Sequence, residues 1–217
     1  MSATFPYEYI CIEGNIGSGK TSFCYQFAEN FPSELILEEF RDNPFLPHFY
    51  ENPGRYALPV ELFFMTERYR QLNTKLNSGH YLFAPAIIAD YFFDKTLLFA
   101  CQNLTALEFR LFHQLYDTLA PHLRTPDIVI YLHRPIHQLK ENIQQRGRPY
   151  EQQISDRYLQ SIQDAYFDYF RIDRSYPVVI VNAENLHFME DEHDFLRLVE
   201  LLKRTYPKGV HRVSFVH

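Results

Sequence analysis

The chain has 217 residues, of which 46% are hydrophobic and 22% charged, a composition that excludes a disordered protein and predicts one domain over residues 1–217. The net charge of −6 argues against a protein that binds nucleic acid polymers, because there is no basic excess to displace counterions. The three cysteines lack metal-site spacing, no basic residue precedes Lys20, and no apolar run approaches membrane-spanning length. These features predict a cytoplasmic protein with no membrane partner.

Short apolar runs alternate with helical patterns along the chain. The predicted strands cover 7–13, 35–39, 85–90, 127–132 and 177–181. One predicted helix begins at about residue 19, and two others cover 61–77 and 104–123. This alternation predicts an α/β fold, an open five-stranded parallel sheet with helices on both faces. The helix over 104–123 carries two apolar stripes, so it needs a second partner besides the core, such as another subunit.

A glycine-rich motif joins the first strand to the first helix. Its residues are Gly14, Asn15, Ile16, Gly17, Ser18, Gly19, Lys20 and Thr21. The motif matches G-x-x-x-x-G-K-[ST], in which backbone N–H groups and the lysine bind triphosphate oxygens while the hydroxyl binds Mg²⁺. We therefore predict a P-loop protein that uses ATP or another nucleoside triphosphate with Mg²⁺ as its cofactor.

Carboxylates end two of the predicted strands. Asp90 ends the strand that we expect beside the first one, where it could complete the shell of the Mg²⁺. Glu38 and Glu39 end the second strand, at the edge of the same crevice. A hydroxyl acceptor needs a carboxylate to take its proton, but position alone leaves these two open as base or as solvated strand end.

Two arginines follow the helix after the fourth strand. Arg146 and Arg148 lie in a segment interrupted by glycine and proline, which predicts a short lid at about 143–152. Such arginines can meet the charge that spreads over a transferring phosphoryl group, and a solvated basic turn is the alternative.

The chain resembles the deoxynucleoside kinases, specifically the bacterial deoxyguanosine/deoxyadenosine kinase branch. The segments that carry the resemblance are IEGNIGSGKT, EEFRDNPFLPHFYENP, ELFFMTERYRQL, IIADYFFDKTLLFA, DIVIYL and QQRGRPYEQ. The likeness covers nearly the whole chain. It implies a P-loop kinase of nucleotide salvage, with a small-molecule nucleoside and a nucleoside triphosphate as partners, and a homodimer.

The resemblance also implies roles for individual residues. Glu38 matches the base that accepts the proton of the nucleoside 5′-hydroxyl, and Arg68 matches the arginine that orients this base. Tyr50 and Glu151 match the pair that holds the 3′-hydroxyl. Asp90 matches the acidic residue of the family's E/D-R-S motif, and the two lid arginines match catalytic ones.

Three positions depart from the family pattern. Tyr91 stands where the E/D-R-S motif has arginine, so a cation is missing or is replaced by Lys95. Asn142 stands where many relatives have a basic residue, for which Lys140 could substitute, and Glu39 stands where many have proline. These departures leave the division of labour among the cations open.

Glu61 matches the position where most relatives have the glutamine that reads the base edge. An ionised glutamate only accepts hydrogen bonds, whereas guanine presents two donors, N1–H and N2–H. We therefore predict transfer of the γ-phosphate to a purine deoxynucleoside, deoxyguanosine first, with a broader deoxyadenosine/deoxycytidine kinase as the alternative. One or two of Tyr50, Phe64, Phe92 and Phe93 are expected to sandwich the base.

Other P-loop functions compete with this interpretation. A thymidylate-type kinase needs cations for an acceptor phosphate, and the glutamates expected in the acceptor pocket disfavour that charge. A guanine-nucleotide switch needs an N-K-x-D motif, which the sequence lacks. A catalytically weak nucleotide-binding protein stays open because of the cation departures.

Overall fold

A sheet of six parallel strands lies at the centre of the described part of the chain. The computed structural model describes residues 5–38, 43–77, 86–172 and 175–215. The strands are β1 (Tyr9–Gly14), β2 (Glu34–Ile36), β3 (Ile87–Ala89), β4 (Ile128–His133), β5 (Pro177–Asn182) and β6 (Gly209–Ser214). Their order across the sheet is β2-β3-β1-β4-β5-β6, and each neighbouring pair is parallel.

The predicted α/β fold is confirmed, but the strand count of five is wrong. The sixth strand, β6, pairs with β5 in a register that places Val210 beside Val178. Its residues alternate between half-buried and exposed, because β6 is an edge strand. It therefore lacks the continuous apolar run that marks the central strands.

Helices connect the strands on both faces of the sheet. They are α1 (Lys20–Asn30), α2 (Leu46–Glu51), α3 (Pro53–Asn77), α4 (Lys95–Asn103), α5 (Ala106–Leu119), α6 (Ile136–Arg146), α7 (Asp156–Arg171) and α8 (Glu192–Leu202), with short 3₁₀ turns at Ala120–His122 and Pro149–Glu151. Within the described ranges, none of these helices has the length and apolar character that crossing a membrane requires.

Two helices differ from the predicted boundaries. α3 begins at Pro53, earlier than the predicted start at 61. The helix predicted over 104–123 is α5 followed by the short 3₁₀ turn at Ala120–His122, and α4 ends before it at Asn103. The Thr105 hydroxyl accepts the Glu108 N–H at 3.4 Å, and the Glu108 carboxylate accepts the Thr105 N–H at 2.9 Å. This capping box starts α5, so the chain does not continue as one helix from α4.

Alternate residues of β1 face opposite layers. Ile10 and Ile12 pack against Phe23 of α1, whereas Tyr9 packs against Met65 of α3. Burial on both faces fixes β1 as a central strand. It lies between β3 and β4, the point from which the strand order proceeds in opposite directions across the sheet. The carboxyl end of β1 therefore opens into the crevice where ligands bind in such sheets.

Candidate active site

The glycine-rich segment forms a tight loop between β1 and α1. Gly17 and Gly19 have φ angles of 82° and 92°, a region that residues with a Cβ rarely adopt. A Cβ on Gly17 would lie 2.6 Å from the backbone oxygen of Leu139, so this glycine also lets α6 approach. The first turn of α1 has no side-chain cap and no acidic residue. Its backbone N–H groups can therefore bind an anion.

The remaining motif residues support this loop. The Asn15 side chain donates to the Leu159 carbonyl at 2.7 Å and accepts the Ile16 N–H at 2.8 Å. Ser18 is fully buried, and a Cβ on Gly14 would lie 2.3 Å from its hydroxyl oxygen. The side chains of Asn15 and Ser18 thus pack inside the protein and stabilise the loop, and its backbone N–H groups remain available to the crevice.

Asp90 connects the end of the loop to the second strand. The Thr21 hydroxyl donates to Asp90 Oδ2, and the Glu38 backbone N–H donates to Asp90 Oδ1 at 2.7 Å. Beside them, burial lowers the pKa of Lys20 to about 8. Asp90 therefore joins the P-loop to the acidic tip of the second strand, and both line the same cleft.

Two cations bind the Glu38 carboxylate. Arg68 donates to Oε1 from Nε at 2.8 Å and from Nη2 at 2.5 Å, while Lys95 Nζ donates to Oε2 at 2.8 Å. The Arg68 guanidinium is itself oriented by a 3.0 Å hydrogen bond to Thr96 Oγ1. Both cations are almost fully buried, so this carboxylate is held in one position.

These contacts set the charge of Glu38. Burial raises the pKa of the carboxyl group, but Lys95 and Arg68 outweigh that effect and hold the pKa well below its ordinary value. Glu38 is therefore ionised throughout the neutral pH range. An ionised, oriented carboxylate can accept a hydrogen bond from an acceptor hydroxyl.

The predicted site residues meet in one cleft, which we call the first cleft. Those that line it are Ile16, Lys20, Thr21, Glu38, Tyr50, Glu61, Arg68, Asp90, Arg146, Arg148 and Glu151. Tyr50 and Phe64 are its predicted aromatic residues, whereas Phe92 and Phe93 are buried in the hydrophobic core. Of the four aromatic residues from which one or two were expected to sandwich the base, only Tyr50 and Phe64 therefore remain candidates.

A second cleft lies on the other side of the glycine-rich loop. Gly17, Gly19, Lys20 and Thr21 line it, together with residues 186–190. Lys20, Thr21 and both lid arginines line both clefts. The two clefts therefore meet at the phosphate-binding end of α1.

Glu61 lies inside the first cleft and is 2% exposed. Its Oε1 accepts a hydrogen bond from Asn103 Nδ2 at 2.6 Å, while its buried Oε2 has no partner within the described residues. Burial raises the pKa of Glu61 to about 7, although the Asn103 hydrogen bond and the Arg68 charge lower it. One carboxylate oxygen is thus left for a ligand.

The raised pKa of Glu61 predicts a pH-dependent cost to stability. The carboxyl group has an ordinary pKa of 4.5 and a pKa of about 7 in the folded protein. Its ionisation therefore does not lower the free energy of unfolding below pH 4.5, lowers it increasingly between pH 4.5 and 7, and has its full effect above pH 7. Glu61→Gln should therefore stabilise the ligand-free protein at pH 8, by up to about 3 kcal/mol, and hardly at all at pH 4.5. Thermal unfolding at both pH values measures the difference, and an equal shift at both would contradict it.

The lid arginines bind Glu151, a further buried carboxylate of the first cleft. Arg146 Nη2 donates to Glu151 Oε2, and Arg148 Nη1 donates to Oε1 at 3.1 Å. Tyr50 stacks on Tyr150, with 6.0 Å between the ring centres. Tyr50, Glu151 and both arginines are thus brought together, as the resemblance implied.

The departures from the family pattern have different structural outcomes. The Tyr91 hydroxyl donates to Gln71, and its ring packs in the core. Asn142 Nδ2 donates to the Gly17 carbonyl at 2.7 Å, whereas Lys140 binds the Ile154 carbonyl at 2.9 Å and lines neither cleft. The suggested substitution by Lys140 is therefore wrong in this structure. Glu39 lies outside the described residues.

The chain is similar to known proteins over most of its length. The family model described as deoxynucleoside kinase matches residues 10–206. The chain belongs to the deoxynucleoside kinase family. It is 31% identical to the deoxyguanosine kinase of Bacillus subtilis (strain 168), covering 90% of this chain and 96% of the relative. It is 24% identical to the deoxyadenosine/deoxycytidine kinase of the same strain, covering 88% and 89%.

Solved structures of deoxynucleoside kinases share the fold. Deoxyadenosine kinase from M. mycoides, with the products dCMP and a flexible dCDP bound, superimposes with a TM-score of 0.74. The match covers 89% of this chain and 97% of that one at 20% identity. The P-loop kinase fold and the family assignment are therefore confirmed, and the chain is a deoxynucleoside kinase.

Three residues of the first cleft were missed or left open by sequence reasoning. The sequence indicates Lys95 only as a replacement for an arginine, whereas the structure shows that it binds Glu38 directly. The sequence indicates no role for Asn103, which binds Glu61, or for Tyr158, which lines the same cleft. The sequence carried no signal for the last two, because their partners are distant along the chain.

Proposed function

We propose that this deoxynucleoside kinase transfers the γ-phosphate of ATP, or of another nucleoside triphosphate, to the 5′-hydroxyl of a purine deoxynucleoside, with deoxyguanosine preferred. The observation that carries the proposal is the ionised Glu38, held by Arg68 and Lys95 in the cleft that also contains Lys20 and Thr21. A base and a phosphate-binding lysine in one cleft are what transfer to a neutral hydroxyl needs.

The roles of the side chains follow from their positions. Glu38 accepts the hydrogen bond of the 5′-hydroxyl and takes its proton as the phosphoryl group arrives. Lys20 and the N–H groups of the loop bind the β- and γ-phosphate oxygens. Arg146 and Arg148, which line both clefts, neutralise the charge that spreads over the transferring group.

Thr21 and Asp90 are our candidates for holding Mg²⁺. Their hydroxyl and carboxylate oxygens are adjacent, and hard oxygen ligands of this kind suit this cation. When bound, Mg²⁺ neutralises charge on the β- and γ-phosphate oxygens. Asp90 also accepts a hydrogen bond from the Glu38 backbone N–H, so it fixes the position of the general base relative to the glycine-rich loop.

The sugar and the base occupy the rest of the first cleft in this proposal. Tyr50 and Glu151 bind the 3′-hydroxyl, and Glu61 reads the base edge. The glutamates of the cleft disfavour an acceptor that already carries a phosphate. Relatives named deoxyguanosine kinase, in Bacillus subtilis and in Lactobacillus johnsonii, support the base preference.

An acceptor panel tests the proposal. ADP release is measured with MgATP and each of deoxyguanosine, deoxyinosine, deoxyadenosine, deoxycytidine and dGMP, with Lys20→Met as the inactive control. We expect the highest kcat/KM for deoxyguanosine, tolerance of deoxyinosine and negligible turnover of dGMP. ADP release that no deoxynucleoside stimulates would instead favour a catalytically weak nucleotide-binding protein.

We also propose one domain over 1–217, a lid at about 143–152 and a cytoplasmic location. The lid proposal rests on Arg146 and Arg148, which flank Gly147, a C-cap with φ 69° at the end of α6. The location is supported by the cysteines, which are free thiols in the described part of the chain, as a reducing compartment favours.

A homodimer is proposed from one face of α5. Phe112 of this helix is fully buried where α5 packs on α3 and α4, whereas Leu107, Leu111 and Leu115 are 70%, 54% and 42% exposed. These three leucines lie at four-residue spacing and form one stripe, which we call the leucine stripe. An apolar stripe of this kind fits the same stripe on a second copy.

Charge placed in the leucine stripe should dissociate the dimer. Leu111→Lys removes apolar contact and juxtaposes like charges across a symmetric interface, so the sedimentation coefficient should fall to that of a monomer. Asn30→Lys, on the exposed end of α1, adds the same charge elsewhere and should leave the dimer intact. A wild type that sediments as a monomer at micromolar concentration would contradict the proposal.

A further inference from the structure

Asn103 places an amide group beside the candidate base reader. It is the last residue of α4, and its side chain lines the first cleft with Glu61. The 2.6 Å bond from Asn103 Nδ2 to Glu61 Oε1 joins the two groups into one polar edge. The proposed mechanism of phosphoryl transfer assigns no role to this amide.

The carboxylate fixes how the amide is turned. An ionised carboxylate only accepts hydrogen bonds, so Asn103 must present its NH₂ group, and not its oxygen, to Glu61. The bond to Oε1 uses one of the two N–H donors of Nδ2. Along the edge the groups therefore run from an amide donor to two carboxylate acceptors, of which Oε2 is buried without a partner among the described residues.

This order is complementary to a 6-oxopurine. Guanine presents an acceptor at O6, followed by donors at N1–H and N2–H, and hypoxanthine presents the first two. Adenine presents a donor at N6 and an acceptor at N1, so it would meet donor with donor and acceptor with acceptor. We propose that Asn103 determines specificity by donating its amide N–H to O6 of the purine, while Glu61 accepts from N1–H and N2–H.

This inference rests on the proposed function, which puts the nucleoside base in the first cleft. The Tyr158 hydroxyl of α7 is the neighbouring group that could compete for the role, since it lies within hydrogen-bonding range of the same amide. A test must therefore separate three possibilities: donation to O6 by Asn103, donation by Tyr158, and an indirect effect of Asn103 through the orientation of Glu61.

The 2′-deoxyribonucleoside of 2-aminopurine makes this separation, because it lacks both O6 and N1–H but keeps N2–H, so a contact to O6 cannot contribute to its turnover. Asn103→Leu should lower kcat/KM for deoxyguanosine and deoxyinosine by the same factor, about 10- to 100-fold, mainly through KM. Turnover of the 2-aminopurine deoxynucleoside should change less than about twofold. Gln102→Leu, at the exposed neighbouring residue, is the matched control and should leave the ratios unchanged, whereas Tyr158→Phe tests the competing donor.

Each other result overturns the inference in a distinct way. An equal loss for all three substrates means that Asn103 only orients Glu61, and a selective loss in Tyr158→Phe assigns the O6 contact to the tyrosine. Calorimetric titration of deoxyguanosine into wild type and Asn103→Ala repeats the test without turnover, and equal affinities would refute the contact. A wild type that phosphorylates no 6-oxopurine nucleoside would refute the proposed function itself.

Discussion

Replacing Glu38 with glutamine is expected to lower kcat by about 10²- to 10⁴-fold, the range that a positioned general base contributes. The amide has nearly the same shape but cannot take the proton of the acceptor hydroxyl. It also presents an NH₂ group that cannot bind Lys95 or Arg68 as the carboxylate oxygen does. Steady-state kinetics with saturating deoxyguanosine and MgATP measures the loss.

Two controls separate this effect from misfolding. Glu34→Gln changes a glutamate of β2 that pairs with Lys75 and lines neither cleft, so it should retain the activity of the wild type. The affinity of Glu38→Gln for ATP should stay within a few-fold of the wild type, because Lys20 and the loop are unchanged. A Glu38→Gln enzyme with more than a tenth of the wild-type kcat would show that another group takes the proton.

Local motifs allowed the phosphate-binding half of the site to be predicted. Gly14 to Thr21 are contiguous, so their order alone indicates a strand, a loop and a helix around a triphosphate. Asp90 could be predicted because parallel strands end at one edge of the sheet. The capping box at Thr105 and Glu108 was also present in the sequence, and it places the start of the helix predicted over 104–123 just after Thr105.

The acceptor half depended on long-range packing that no local pattern encodes. Arg68 of α3 and Lys95 of α4 meet Glu38 only because both helices pack together beside β2 and β3. The resemblance supplied the role of Arg68, but it could not show that Lys95 binds the opposite oxygen. The edge strand β6 was missed for a different reason, since half of its residues face solvent and lack an apolar run.

The second large effect concerns the choice of base. Glu61→Gln should lower the ratio of kcat/KM for deoxyguanosine over deoxyadenosine, by up to about 10⁴-fold. Glutamine offers one donor and one acceptor, which match N1 and N6–H of adenine, whereas the carboxylate offers acceptors only. Glu67→Gln, at a more exposed position of α3 that pairs with Arg70, is the matched control and should leave the ratio unchanged.

The same ratio should depend on pH in the wild type and not in Glu61→Gln. Burial raises the pKa of Glu61 to about 7, so acidification protonates the carboxyl group and gives it one donor. The preference for deoxyguanosine should therefore rise with pH through about 7, since the ionised form is the one that repels adenine N1. A wild-type ratio that is flat from pH 6 to 8 and unaltered by Glu61→Gln would mean that another residue reads the base edge.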